Sequence, residues 1–267
     1  PGPLLQREPA AGGRRFSGRR RVRLGDVTSA GRLRLDALTR YTQDVSDDDT
    51  TDAGLTDPDD PGEPAWVVRR TAVAELQSAR LGEDIDITTF CSGLGRRWAE
   101  RHLQVVGSGG ARYEVSTLWI CIDAATGRPR ELTERFRTLY GPAAGGRQVT
   151  ARLTHPRPAP AADRFPWPLR AVDLDVYGHV NNAAYWAVVE EWLDRHPLEE
   201  PFTASLEYAA GLDRGADVEV AWVPVAGGGV QLWWLAPDGT VPASARLVPL
   251  PGGVATEPAA SGARNTV

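Results

Sequence analysis

The chain contains no lysine; its 30 basic residues are all arginine. Schiff-base and pyridoxal chemistry on a side-chain amine is therefore excluded. Histidine is scarce, and none of the four (His102, His155, His179, His196) pairs with another at the spacing of a zinc site. No metal and no cofactor is expected. Cysteine is scarcer still: Cys91 and Cys121 lie far apart in strand-like runs and read as reduced core residues rather than a disulfide. No apolar run approaches the roughly 20 residues that span a bilayer. The N-terminus lacks the apolar core of a secretory signal, so the expected compartment is the cytoplasm. No Gly-x-Ser-x-Gly elbow is present, which leaves a serine hydrolase without its nucleophile.

What remains is a globular composition, with 42% hydrophobic and 24% charged residues in a chain of 267. The formal charge of −5 argues against a dedicated nucleic-acid binder. The first 23 residues run the other way, with seven Arg against one Glu. Residues 1–18 are read as a disordered basic tail, and the segment from Pro251 onward as a second disordered tail.

Between the tails the sequence repeats itself. "RRRVRLGDVTSAGRLRLDALTRYTQDV" and "PWPLRAVDLDVYGHVNNAAYWAVVEEWL" align when Gly31 is set against Gly178. Each gives a short strand, a loop and a helix. About four antiparallel strands follow in each half, divided by turn signals such as "GSGG", "ATGRP", "AGGG" and "DG". The intervening Gly-, Pro- and Ala-rich residues 142–163 read as a linker. In the first helix Leu35, Leu38, Tyr41, Thr42 and Val45 share one face, which predicts an amphipathic surface helix ending near Gly54. The second, predicted over 182–194, is apolar all round from Ala183 to Val189 and must be enclosed. An antiparallel sheet curled around a helix satisfies that demand.

Two such units make an α+β chain of tandem hotdog domains, over 19–141 and 164–250. "WVVRRTAVAEL", "GEDIDITTFCSGLGRRWAERHLQV", "STLWICIDAATGRPREL" and "DLDVYGHVNNAAYW" resemble the acyl-ACP thioesterases of the plant and bacterial fatty-acid type. The resemblance covers roughly residues 19 to 250. It implies hydrolysis of acyl-ACP to free fatty acid, with acyl carrier protein or CoA thioesters as partners, and it leaves a homodimer open. A hotdog dehydratase would carry a His-Phe-Pro-type segment, and the sequence has none.

The stretch "DLDVYGHVNN" (173–182) concentrates polar groups just before the enclosed helix. A calcium loop fails there, because Tyr177 and Ala184 stand where ligands are required. Asp, Asn and Gly are also ordinary turn formers. The chemical reading is stronger for the group as a whole. A thioester carbonyl under attack becomes an oxyanion, and a helix N-terminus offers unpaired N–H groups and a positive dipole. Losing one such donor typically costs about 3 kcal/mol of transition-state stabilisation. Asn181 and Asn182 mark that terminus. Asp175 and His179, four residues apart across Gly178, are expected to meet at hydrogen-bond distance.

The resemblance makes Asp175 and His179 the catalytic pair, with Asp175 as nucleophile or base and His179 as proton-transfer partner. It also brings two departures. The family's Asn two residues after the Asp is here Tyr177, a possible auxiliary. The Glu-Cys that plant members place after a "LEYRR"-like segment is replaced by Gly211 and Leu212. Glu207, four strand residues back, is about 13 Å away; Glu190 and Glu191 are some 12 Å along the helix. In the first half Thr28 and Arg32 stand for Asp175 and His179, so one active site is expected, with the first domain as scaffold and acyl pocket. Trp66, Trp98 and Trp119 are candidates to line that pocket, though ordinary core positions fit them as well. Arg19 to Arg23, Arg96 and Arg97 are candidates to steer an acidic carrier.

Overall fold

The computed structural model describes residues 7–55, 64–159, 162–176 and 178–250. Ten strands form one antiparallel sheet: β1 Phe16–Arg21, β2 Ala65–Gln77, β3 Asp84–Leu94, β4 Trp98–Gly107, β5 Arg112–Ile122, β6 Asp163–Pro166, β7 Phe202–Tyr208, β8 Glu219–Val225, β9 Gly229–Leu235 and β10 Ala243–Pro249. Their spatial order is β1-β3-β4-β5-β2-β7-β10-β9-β8-β6. Read outward from the β2–β7 seam, both halves give the same sequence of equivalent strands. The repeat in the sequence is thus a repeat in space, and the seam pairs Arg70 with Glu207 through Glu75 with Phe202.

Each half wraps its sheet around one long helix, α1 (Leu35–Asp52) or, for the second half, the helix Ala184–Arg195. Leu35, Leu38 and Val45 of α1 are buried in the same core as Tyr185, Trp186, Val188, Val189 and Trp192 of the second helix. The all-round apolar segment is enclosed as its pattern requires. As expected, α1 is amphipathic, with Arg40, Asp44, Asp47, Asp48 and Asp52 exposed on one face; the polar residues beside its apolar stripe are more buried than the pattern suggests. Asp36, Thr39, Ser46 and Asp49 are buried, and Tyr41 lies at the margin, its hydroxyl bonded to Asp26 Oδ2 at 2.6 Å. Where neighbouring elements cover the polar side chains of α1, those side chains need partners. Asp49 finds Arg14, Arg101 and the Tyr140 hydroxyl.

The expected tail is ordered where it is described. Phe16–Arg21 forms an edge strand against β3, Ala10 N–H donates to Ala143 O, and Arg14 reaches Asp49 and Asp52. The basic run therefore answers acids on neighbouring elements. The second expected tail, 251–267, lies outside the described residues. The stretch read as linker begins inside a helix, Glu134–Ala144, which is α2 in chain order and makes Ala184–Arg195 α3. The Thr133 hydroxyl caps α2 by accepting from Phe136 N–H, and Gly145 closes it in the left-handed region at φ 56°. Residues 145–159 then run against the sheet. Gln148 bridges Leu94, the Trp98 indole donates to Val149 O, and Thr154 and His155 donate to Glu207. No helix among the described residues is long and apolar enough to cross a membrane.

Candidate active site

The stretch 173–182 separates its two aspartates by role. Asp173 is buried, and its carboxylate accepts from the backbone and guanidinium of Arg170 while its carbonyl accepts from Asn181 N–H. It closes the short 3-10 turn before the loop. Asp175 is half-buried at the tip. Its N–H donates to His179 O (2.9 Å), its carbonyl accepts from Gly178 N–H (3.1 Å), and its Oδ1 accepts from His179 N–H (3.2 Å). Gly178 sits at φ 80°, in the left-handed region that a side chain disfavours. Tyr177 lies outside the described residues.

Asp175 and His179 are brought together, but the bond between them differs from the one expected. The Asp175 oxygen meets the backbone N–H of His179. The imidazole faces Asp213: Nδ1 lies 2.8 Å from Asp213 Oδ1, and the two residues form an antiparallel bridge. Sequence reading missed Asp213 because it sits on a loop after β7. The available signal was the shift of a carboxylate by two places from the position where Gly211 replaces the family's Glu. A Cβ on Gly211 would lie 3.6 Å from His179 Nδ1.

α3 starts at Ala184, two residues later than expected. Asn181 prepares that start: its Oδ1 accepts from Ala183 N–H at 2.8 Å and its carbonyl from Ala184 N–H at 2.9 Å. Asn181 therefore spends its side chain on the helix end. The carbonyl of Asn182 accepts from the Tyr208 hydroxyl at 2.9 Å, and that hydroxyl accepts from the Trp186 indole at 3.2 Å. Both anchors are buried in the core beneath the loop.

The first domain builds the same loop with different groups. Thr28 N–H donates to Arg32 O, Gly31 N–H to Thr28 O, and Arg32 N–H to Thr28 Oγ1, matching Asp175, Gly178 and His179 bond for bond. Where His179 faces Asp213, Arg32 faces Arg80. The Arg32 guanidinium turns instead to Glu190 of α3 and, at 3.5 Å, to Glu75. Burial works against its charge, and those two carboxylates outweigh it. Glu190 Oε1 also accepts the N–H of Leu35, the first residue of α1, at 2.6 Å. A carboxylate oxygen thus occupies the start of the first-domain helix. By the same alignment the counterpart of Leu35 N–H is Asn182 N–H, at the loop that carries Asp175.

The other candidates have structural employment. Glu207 binds Thr154 and His155, away from His179. His155 is held between Ser244 and Ser205 hydroxyls, and its burial favours the neutral ring. His102 bonds Glu114 inside the sheet, and His196 stacks on Trp192. Trp66 packs on Phe136 of α2 with ring centres 5.0 Å apart. Arg19 and Arg21 pair with Asp86 and Asp84 across β3, and Arg96 with Glu131.

Comparison with known proteins identifies the family and the fold. Residues 13–140 match the acyl-ACP thioesterase N-terminal domain and residues 159–231 the acyl-ACP thioesterase C-terminal domain. An uncharacterised protein of Mycobacterium tuberculosis is 32% identical over 203 residues, covering 76% of this chain and 80% of that protein. The 12:0-ACP thioesterase of Umbellularia californica superposes with a TM-score of 0.72 at 20% identity, covering 88% of this chain and 96% of its own. An acyl-ACP thioesterase of Bacteroides thetaiotaomicron gives 0.69 at 16% identity, covering 88% and 97%.

Proposed function

This chain belongs to the acyl-ACP thioesterase family and is a thioester hydrolase of acyl-ACP, and we propose that Asp175 and His179, at the entrance to α3, carry the reaction. The observation that supports the assignment is the difference between the two loops. They share one backbone, yet the second places a carboxylate and an imidazole where the first has a hydroxyl and a guanidinium.

In this reading the thioester carbonyl carbon sits beside the Asp175 carboxylate, with its oxygen toward the start of α3. Asp175 attacks directly or removes a proton from the attacking water. The carbonyl oxygen gains the negative charge and meets the N–H of Asn182. Glu190 supports that choice, because its oxygen already occupies the equivalent place in the first domain. The tetrahedral centre then collapses and breaks the C–S bond. In the base route the proton taken from water passes through His179 to the departing thiolate, leaving free fatty acid and thiol. In the direct route the thiolate leaves behind an acyl-Asp175 anhydride. A water deprotonated by His179 hydrolyses that anhydride to free fatty acid, and the proton goes on to the thiolate. The first domain acts as scaffold and acyl pocket, and the free buried thiols Cys91 and Cys121 suit a cytoplasmic setting.

Steady-state hydrolysis across acyl chain lengths, on ACP and on CoA, tests the reading. Turnover on ACP thioesters with a lower KM than on CoA supports it. Turnover kept near the wild-type rate by folded Asp175→Ala and His179→Ala proteins overturns it. In a single turnover in 18O-water, label in the Asp175 carboxylate identifies direct attack followed by hydrolysis at Asp175 Cγ, because the base route puts label only in the fatty acid.

A further inference from the structure

We propose that Asp213 is a positioning residue for this reaction, holding His179 in the tautomer whose Nε2 accepts the proton; the inference rests on the assignment of Asp175 and His179 above. Its carboxylate Oδ1 is 2.8 Å from His179 Nδ1. An ionised carboxylate only accepts hydrogen bonds, so Nδ1 must carry the hydrogen. In the neutral ring Nε2 is then left as the acceptor. A proton can move from water or from Asp175 to that nitrogen and from it to the leaving thiolate, while the ring keeps its orientation.

The backbone places Asp213 for this task. Val180 N–H donates to Leu212 O at 2.8 Å, which fixes the register and sets Asp213 directly opposite His179. Gly211 leaves the adjacent space at the ring without a side chain. The resembling family's carboxylate would come from position 211; this chain supplies one from two residues further on. The first domain shows what the register gives without that acid, for there Arg32 faces Arg80 and turns away to Glu190.

The pair lies open to solvent, with side-chain exposures of 55% for His179 and 82% for Asp213. An exposed pair adds little to stability. Its function must therefore appear in the rate of the chemical step, and that is how a positioning role is told from a structural one.

The test uses the purified full chain with an acyl-ACP substrate. Asp213→Ala and Asp213→Asn are expected to lower kcat about tenfold or more, with KM and Tm unchanged. Asp213→Glu should keep part of the activity, and Gly211→Glu added to Asp213→Ala should restore part of it. The 15N resonances of the His179 ring should show a protonated Nδ1 in the wild type and a tautomer mixture in Asp213→Ala. A kcat within twofold of wild type in Asp213→Ala, or a change confined to KM, overturns the proposal. Asp175→Ala run alongside separates the levels: if it abolishes turnover while Asp213→Ala does not, only the role of Asp213 fails, and if it retains turnover the catalytic assignment itself fails.

Discussion

Glu190 of α3 accepts the N–H of Leu35, the first residue of α1, at 2.6 Å, while its other oxygen pairs with Arg32. One buried side chain thus joins the two hotdog helices and fills the helix end of the domain that has Thr28 and Arg32 in place of Asp175 and His179. Removing it takes from the half-buried Arg32 guanidinium one of its two carboxylates and leaves Leu35 N–H without its acceptor. Glu190→Ala is expected to lose about 1–3 kcal/mol of stability, read as a fall in the urea midpoint at unchanged m-value. Glu190→Gln, which can still accept from Leu35 N–H, should lose distinctly less.

Glu75 is the pH-sensitive member of the same cluster. It is fully buried, and burial raises its pKa to about 7 against the pull of Arg32 and the Ser78 hydroxyl. The native state then holds a proton that the unfolded chain has released between about pH 4.5 and 7. Stability should fall as pH rises through that window and stay lower above it. Tm followed from pH 5 to 8 should drop in the wild type and drop less in Glu75→Gln. Parallel curves for the two proteins would show that Glu75 does not titrate there.

Tyr208 supports the reacting loop from below by donating to the Asn182 carbonyl. Tyr208→Phe keeps the ring packing but leaves that carbonyl without its donor, at a cost of about 1–2 kcal/mol. Because Asn182 carries the proposed oxyanion donor, kcat should fall as well, with KM little changed. Denaturant unfolding and acyl-ACP kinetics on the same preparation check both effects.

Much of this was legible in the sequence, for identifiable reasons. The Gly31–Gly178 alignment exposed the tandem repeat, because both loops need a left-handed residue at that place. The run from Ala183 to Val189 announced an enclosed helix through its lack of a polar face. α2 was hidden because Gly141 and Pro142 lie in its last turn and read as linker, while the Thr133 cap that starts it is a single residue. The N-terminal strand was expected from residue 19, and its first residues, Phe16 to Gly18, were assigned to the tail; the acids that pair with Arg19, Arg20 and Arg21, namely Asp86, Asp48 and Asp84, lie on β3 and α1. At the site, Asp175 and His179 were visible through the motif. Asp213 was not, because its contact with His179 comes from a bridge between two loops 34 residues apart. Glu190, set aside on distance along its own helix, proved to serve the other domain.

Asp175 is the group on which the proposed hydrolysis depends most directly. The measurement is hydrolysis of acyl-ACP by Asp175→Ala, with circular dichroism and Tm recorded on the same sample. A fold and Tm close to wild type with turnover lost is the predicted result. Turnover near the wild-type rate in a folded Asp175→Ala protein would contradict it, and would move the chemistry away from the loop at the head of α3.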